Sequence, residues 1–250
     1  PGGGPIAGAV GADPDEVLDL VGQLDNSFLA IQGPPGTGKT YTGARIIHRL
    51  VTAGHRVGIT AFSHSAIDKM LEEVVKVFAK EGDKDILSAI RKVSEIPDPA
   101  DQLEGVEYTE DNGDCASPAY NLVAGTTWLF PRPDMRANPV DFLVIDEAGQ
   151  LGLADALAAA SGSTNVVLLG DPQQLPQVAQ ASHPVGSGAS VLEHVLGGEA
   201  TIGEDRGVFL DVTYRMHPDV CGFISEEVYD GRLVPHPDCG RQGTEYGTGL

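Results

Sequence analysis

Cysteines and long apolar runs are scarce in this sequence of 250 residues. The three cysteines, Cys115, Cys221 and Cys239, are widely spaced and form no CxxC pair. This argues against a disulfide scaffold or a zinc site and favours a reducing compartment. No apolar run approaches the roughly 18 residues that span a membrane, and the first residues lack the basic and hydrophobic segments of a secretory signal. We therefore expect a cytoplasmic protein with no membrane partner.

Basic residues are also few, since 16 Lys and Arg stand against 36 Asp and Glu and give a formal net charge of −20. Surfaces that bind nucleic acid are usually basic, because their affinity comes largely from neutralising phosphates. The charge therefore counts against strong nucleic-acid binding by this chain alone, although an acidic host proteome would give the same balance. With 41% hydrophobic and 21% charged residues, the composition is that of a globular protein.

Short apolar runs alternate with helical patterns along most of the chain. Continuously apolar runs are typical of strands covered on both faces, and their alternation with amphipathic helices predicts a parallel sheet with right-handed crossovers. The fold class is thus predicted to be α/β, with a parallel sheet flanked by helices. The predicted strands are residues 27–32, 56–63, 121–127, 141–146, 165–171 and 207–212, and the main predicted helices are residues 39–54 and the segment after Ser63.

Two regions depart from this alternation. Residues 1–13 are rich in Gly, Pro and Ala and are interpreted as a mobile lead-in. Residues 81–118 contain the acidic stretch SEIPDPADQLEGVEYTEDNGD, which we interpret as a surface insertion that cannot bury enough apolar area to form a core. The sequence starts without Met and stops at GTEYGTGL. We expect it to be a fragment of a longer protein.

The segment GPPGTGKT, residues 33–40, fits the pattern G-x-x-x-x-G-K-[ST] and lies between a predicted strand and a predicted helix. Its glycines allow a backbone wrap whose N–H groups point at phosphate oxygens, and the helix that follows presents its positive end to the same anion. Lys39 is expected to reach the β- and γ-phosphates, and the Thr40 hydroxyl to bind Mg²⁺. The predicted nucleotide contacts are Gly33, Pro34, Pro35, Gly36, Thr37, Gly38, Lys39, Thr40 and Tyr41.

Polar residues follow two further apolar runs. FLVIDEAGQ places Asp146 and Glu147 at a strand end, the edge of the sheet where ligands bind in open α/β folds. Asp146 is predicted to hold Mg²⁺, and Glu147 to accept a proton from the attacking water. VVLLGDPQQLPQV brings Asp171 and Gln174 to the same edge, where a glutamine can bond both to a γ-phosphate and to that water.

Four motifs, in this order, resemble those of superfamily 1 helicases: GPPGTGKT, DEAGQ, GDPQQLPQV and DVTYRMHPDVCGFISEEVYDGRL. The nearest branch is that of the nonsense-mediated-decay RNA helicase and of the nuclease-helicases that move 5′ to 3′. The resemblance spans residues 27–235 and implies two RecA-like domains with ATP between them. It implies a first RecA-like domain at residues 14–205 and the start of a second at 206–250.

The same resemblance implies the partners. A single strand of DNA or RNA would run across both domains, and the remainder of the second domain and a fused nuclease are further expected partners. TAFSHSAIDKML and AGTTWLF resemble two of the family's strand-binding motifs. They imply backbone contacts, without sequence readout, from Thr60, Ser63, Thr126 and Thr127. Whether the strand is DNA or RNA stays open.

The segment TYRMHP resembles the motif that opens the family's second domain. By that resemblance, Tyr214 stacks on the adenine and Arg215 acts as an arginine finger, a role that suits a planar guanidinium. The catalytic set is then Lys39, Glu147, Gln174 and Arg215. We expect residues 1–250 alone to be a poor ATPase, because Arg215 belongs to an incomplete domain.

Two other functions of a P-loop ATPase remain as alternatives. A protein remodeller would be revealed by a stable hexamer with ATP, although TYRMHP and the Gln174 cluster are not typical of ring ATPases. A nucleotide-gated binding switch is the second alternative. A guanine-specific switch is disfavoured because no NKxD-type signature occurs.

Overall fold

Eight strands form one parallel sheet at the centre of the computed structural model, which describes residues 14–174 and 188–241. The strand order is β4-β3-β5-β2-β6-β7-β1-β8, and a separate parallel pair joins β9 to β10. The strands are β1 (Phe28–Gln32), β2 (Val57–Ala61), β3 (Ala89–Lys92), β4 (Val106–Thr109), β5 (Leu122–Ala124), β6 (Val140–Asp146), β7 (Ser163–Gly170), β8 (Gly207–Phe209), β9 (Val212–Thr213) and β10 (Val234–Pro235).

Helices cover both faces of the sheet. They are α1 (Pro14–Gly22), α2 (Lys39–Thr52), α3 (His64–Glu81), α4 (Pro133–Ala137), α5 (Leu153–Ala160), α6 (Val191–Leu196) and α7 (Pro218–Val228). Alternate residues of each strand point to opposite faces. Side chains such as Ile31 and Val144 therefore pack with α1, α2 and α3, whereas Ala30 and Ile145 pack with α5, α6 and α7. The predicted α/β class, with a parallel sheet between helices, is confirmed.

The register of the sheet aligns the strand ends that matter for the site. Gln32, the last residue of β1, pairs with Gly170, the last residue of β7. On the other side of β7, Ile145 of β6 pairs with Leu168. Because all these strands are parallel, the segments that follow β1, β6 and β7 leave the sheet at one edge.

The interpretation of residues 81–118 as a surface insertion that forms no core was wrong. They contain β3 and β4, which extend the sheet through pairs such as Ile90↔Val123. Ala89, Ile90 and Val106 are buried against the helices and neighbouring strands. Each of these strands has only four residues and contributes few apolar side chains. The acidic residues between them therefore hid the strand pattern in the sequence.

The other predicted strands are confirmed with shifts of a few residues at their ends. The run at residues 207–212 is divided, because β8 pairs with β1 in the main sheet whereas β9 pairs with β10. The predicted lead-in at residues 1–13 lies outside the described residues, and the domain boundary at residue 206 stays a prediction. Within residues 14–174 and 188–241, no helix is both long enough and apolar enough to cross a membrane.

Candidate nucleotide site

The loop between β1 and α2 is a glycine-dependent wrap. Gly36 and Gly38 both have φ of 80°, the left-handed region that favours glycine. A Cβ on Gly36 would lie only 2.4 Å from the Cβ of Arg215. The loop is fastened to β7 by a hydrogen bond from Gly33 N to Gly170 O of 2.9 Å. It therefore has the fixed backbone shape that a phosphate cradle requires.

Lys39 begins α2 and folds back over this loop. Its Nζ donates a hydrogen bond of 2.5 Å to the carbonyl of Gly33. Burial lowers the pKa of Lys39, and the carboxylates of Asp171, Glu147 and Asp146 oppose that shift. The ammonium thus faces three acids, and an anion bound in the loop would meet its positive charge.

The two acids after β6 differ in environment. Asp146 is only 4% exposed, and its Oδ1 accepts a hydrogen bond of 2.9 Å from Glu147 N. Burial, with the nearby Glu147 charge, raises the pKa of Asp146 to about 6. Glu147 is half-buried and has φ of 53°, an uncommon value for a residue with a side chain. The hydrogen bond from Ala148 N to Leu169 O, 2.8 Å, holds this turn on β7.

A cavity of about 480 Å³ lies in front of the loop, and we call it the P-loop cavity. Its volume is in the range of small-molecule sites. Three segments distant in sequence contribute the side chains of Glu147, Gln174 and Arg215 to its wall. The lining residues are Pro35, Gly36, Gly38, Lys39, Thr40, Tyr41, Lys69, Glu72, Glu73, Lys76, Glu147, Gln174 and Arg215.

The TYRMHP segment lies directly on the loop. Thr213 Oγ1 donates to the carbonyl of Pro35 at 3.0 Å, and Tyr214 N donates to the carbonyl of Gly36 at 2.9 Å. These bonds bring Arg215 to the cavity wall. Tyr214 is 60% exposed and does not line the cavity; one face of its ring stacks on His236, with 4.7 Å between centroids.

The residues predicted to contact a nucleic-acid strand do not share one environment. Thr126 and Thr127 are half-buried in the turn after β5. The Ser63 hydroxyl caps α3 by accepting a hydrogen bond from Ala66 N at 3.1 Å. Thr60 is fully buried, and its hydroxyl has no hydrogen-bond partner within residues 14–174 and 188–241. Its predicted contact through the hydroxyl does not fit this structure, because the side chain is fully buried.

Two exposed aromatic residues, which the sequence analysis did not single out, lie at the same edge. Trp128 is 76% exposed, although the next residues, Leu129 and Phe130, are buried. Phe62, 46% exposed, follows β2, the strand that pairs with β5. We call Phe62, Ser63, Thr126, Thr127 and Trp128 the aromatic edge. A signal was available, since Trp128 is the only tryptophan in the sequence and directly follows the two threonines.

The residues at the P-loop cavity fit a magnesium–nucleotide. Among the described residues, no group of three or more His, Cys, Asp or Glu could hold a metal by itself. Mg²⁺ in nucleotide sites usually takes only one or two protein oxygens and completes its shell with phosphates and water. Thr40 and the buried Asp146 are a donor set of that size.

A phosphate-binding loop after β1, acids at the tip of β6, and a parallel sheet between helices define a P-loop NTPase of RecA-like fold. A family model described as an AAA domain matches residues 16–189. This chain belongs to that family.

Curated relatives and one solved structure agree with this assignment. The chain is 28% identical over 228 residues to the DNA replication ATP-dependent helicase/nuclease DNA2 of Gallus gallus, covering 88% of this chain and 22% of that protein. It is 27% identical over 242 residues to the Regulator of nonsense transcripts 1 homolog of Drosophila melanogaster, covering 84% and 20%. The structure of Arterivirus nonstructural protein 10 (helicase) with DNA matches with a TM-score of 0.52 at 17% identity, covering 84% and 41%, which supports the fold.

The resemblance to superfamily 1 helicases of the nonsense-mediated-decay and DNA2-like branch is therefore confirmed. The chain spans about a fifth of the length of the curated relatives named above.

Proposed function

We propose that this chain is the ATP-hydrolysing part of a motor that moves along single-stranded DNA or RNA. The observation that carries the proposal is the convergence of Lys39, Glu147, Gln174 and Arg215 on one P-loop cavity. Each comes from a different segment of the chain, and together they supply a cation for phosphates, a base, a polar sensor and a second cation. The similarity to helicases supports nucleic acid as the partner.

Each side chain has a role in phosphoryl transfer that its position supports. The N–H groups of the loop and Lys39 bind the phosphate tail, and Glu147 accepts the proton of the attacking water. Gln174 orients that water, and Arg215 balances the charge that spreads over the transferred group. Thr40 and Asp146 would hold Mg²⁺, which neutralises phosphate charge when it is bound. Tyr214, with one ring face open, and Tyr41, in the cavity wall, are available to contact the base.

The aromatic edge is the proposed surface for the strand. Exposed aromatic rings stack on bases of any sequence, and hydroxyls and amides contact the backbone without reading sequence. This mode suits the acidic composition of the chain, because stacking depends less on phosphate neutralisation than a basic groove does. It serves DNA and RNA equally.

Steady-state ATP hydrolysis by the intact protein, with and without a single-stranded oligonucleotide, tests the proposal. We expect the strand to stimulate hydrolysis, and Lys39→Ala to abolish nucleotide binding or turnover. Lys80→Ala is the matched control, because Lys80 is exposed in the last turn of α3 and does not line the P-loop cavity. Equal rates with and without DNA and RNA across a range of salt would refute a motor. If nucleotide then still altered the affinity for a partner, the binding switch would be favoured.

A further inference from the structure

A buried hydrogen-bond network joins the tip of β7 to the end of α7. Asp171 follows β7 and is 2% exposed, and Tyr229 follows α7 and is 3% exposed. The Tyr229 hydroxyl donates to Asp171 Oδ2 at 2.7 Å. Burial and this bond raise the pKa of Tyr229, so its hydroxyl stays protonated and remains a donor. Residues 58 positions apart are thus connected by one short bond to a charged acceptor.

The same carboxylate holds the loop that carries Gln174. Asp171 Oδ1 accepts a hydrogen bond from Gln173 N at 3.2 Å. Asp171 Oδ2 accepts one from Gln174 Nε2 at 3.4 Å, so the Gln174 amide and the Tyr229 hydroxyl share one oxygen. Without the Tyr229 hydroxyl, the Asp171 carboxylate would lose one of the bonds that fix its orientation. The Gln174 side chain, which is bonded to the same oxygen, would then be held less firmly.

Hydrogen bonds also connect the surroundings of Tyr229 to the phosphate-binding strand. Gln32, at the end of β1, accepts a hydrogen bond from Ile202 N at 2.7 Å and has its Nε2 3.5 Å from Asp171 Oδ1. Next to Ile202, the Thr201 hydroxyl donates to Asp230, the neighbour of Tyr229, at 2.9 Å. A displacement of α7 would therefore be transmitted to the tips of β1 and β7 together.

We propose that Tyr229 is a positioning residue, which acts through Asp171 to hold Gln174 in the wall of the P-loop cavity. This link would make the position of Gln174, at the phosphate-binding part of the P-loop cavity, depend on the position of α7. That helix belongs to the predicted start of the second domain. The inference rests on the proposed ATP hydrolysis, because Gln174 acts only in that reaction. It adds a residue that touches neither nucleotide nor strand.

A double-mutant cycle on the intact protein tests this inference. Tyr229→Phe keeps the ring and removes only the hydroxyl. We expect it to lower kcat for ATP about tenfold, as for the loss of one hydrogen bond to a charged group, and to leave KM within about twofold. In a Gln174→Ala background the same substitution should change kcat by less than about twofold, because the side chain it positions is absent.

Tyr108→Phe is the matched control. It removes a hydroxyl that accepts a hydrogen bond from Leu103 N, on the β4 side of the sheet, and should leave kcat unchanged. Asp171→Asn keeps the size of the acceptor and loses its charge, so it should reproduce the kcat defect if Tyr229→Phe folds poorly.

Three outcomes would overturn the inference. The first is an unchanged kcat in both Tyr229→Phe and Asp171→Asn. The second is an equal fall in kcat when Tyr229→Phe is made in the wild-type protein and in Gln174→Ala, since that indicates a general structural effect. Complete absence of turnover in the wild-type protein would overturn the inference and the proposed function together. Turnover that the strand does not stimulate would refute only the motor, because the cycle can still be measured on basal hydrolysis.

Discussion

The P-loop cavity and the aromatic edge lie at the same carboxyl edge of one sheet, yet their side chains are held very differently. Behind the cavity wall, Asp146 and Asp171 are almost fully buried, and Lys39 in the wall is bound to the loop by a short hydrogen bond. At the aromatic edge, Trp128 and Phe62 are exposed. The first region holds its polar groups by burial and hydrogen bonds, whereas the second exposes aromatic rings to solvent.

This difference matches the two tasks that we propose. Phosphoryl transfer depends on preorganised charges, because groups that must reorient during the reaction lose much of their effect. A strand that moves must instead be released at every step, so its contacts should be individually weak and independent of sequence. The four predictions below test the contrast, from the largest expected effect to the smallest.

Glu147→Gln should slow hydrolysis by about 10²–10⁴-fold while Mg²⁺–ATP binding is retained, because the substitution removes a general base but keeps its size. Single-turnover hydrolysis and a nucleotide-binding titration measure the two effects separately. Glu81→Gln, at the exposed end of α3, is the control. Unchanged turnover in Glu147→Gln would show that the general base has been assigned to the wrong residue.

Trp128→Ala should weaken strand binding about 5- to 150-fold, the range expected when one base–aromatic stack of about 1–3 kcal/mol is lost. Binding of a labelled oligonucleotide gives the affinity, and the tryptophan fluorescence of the wild-type chain should be quenched in the same titration. Phe223→Ala is matched to it, because Phe223 is 66% exposed on α7 and is not part of the aromatic edge. Equal affinity in both variants would remove Trp128 from the proposed strand surface.

Asp146→Asn should stabilise the metal-free protein at a pH above the raised pKa of this carboxyl. The folded state raises the pKa of this carboxyl from 3.8 to about 6, so its ionised form costs about 3 kcal/mol, at 1.36 kcal/mol per pH unit. Because the raised pKa belongs to the folded state, the cost is present above about pH 6 and absent below about pH 4. Thermal unfolding in EDTA should show a gain at pH 8 that vanishes at pH 4. A loss of stability at pH 8 would contradict this account.

Thr60→Val should raise the free energy of unfolding by about 1 kcal/mol, since a methyl group of similar size replaces a buried hydroxyl that has no partner in the described part of the chain. Strand affinity should stay within about twofold, because the Thr60 side chain does not reach the surface. Chemical denaturation and oligonucleotide binding test both statements. A clear fall in affinity would restore the sequence-based prediction that the Thr60 hydroxyl contacts the strand.

The features that sequence reasoning predicted best are those in which neighbouring residues carry the whole signal. The loop of residues 33–40 and the pair Asp146–Glu147 follow apolar strands directly. The same short stretch of sequence therefore indicates both the motif and its position at the end of a strand. Thr60 was predicted from a motif too, but a motif does not say which face of β2 a hydroxyl occupies. The contact between Tyr229 and Asp171 left no local trace, because it joins segments 58 residues apart.

The central claim is that nucleotide binding at the P-loop cavity changes strand binding at the aromatic edge. The most direct test is whether a bound nucleotide alters the affinity for the strand. The measurement is the anisotropy of a labelled single-stranded oligonucleotide titrated with the intact protein, without nucleotide and with a non-hydrolysable Mg²⁺–ATP analogue. We predict that the analogue changes the strand affinity by about 5- to 150-fold, the usual size of coupling between two sites. If the strand affinity is the same in the two titrations, although the analogue is bound in the second, the account is contradicted.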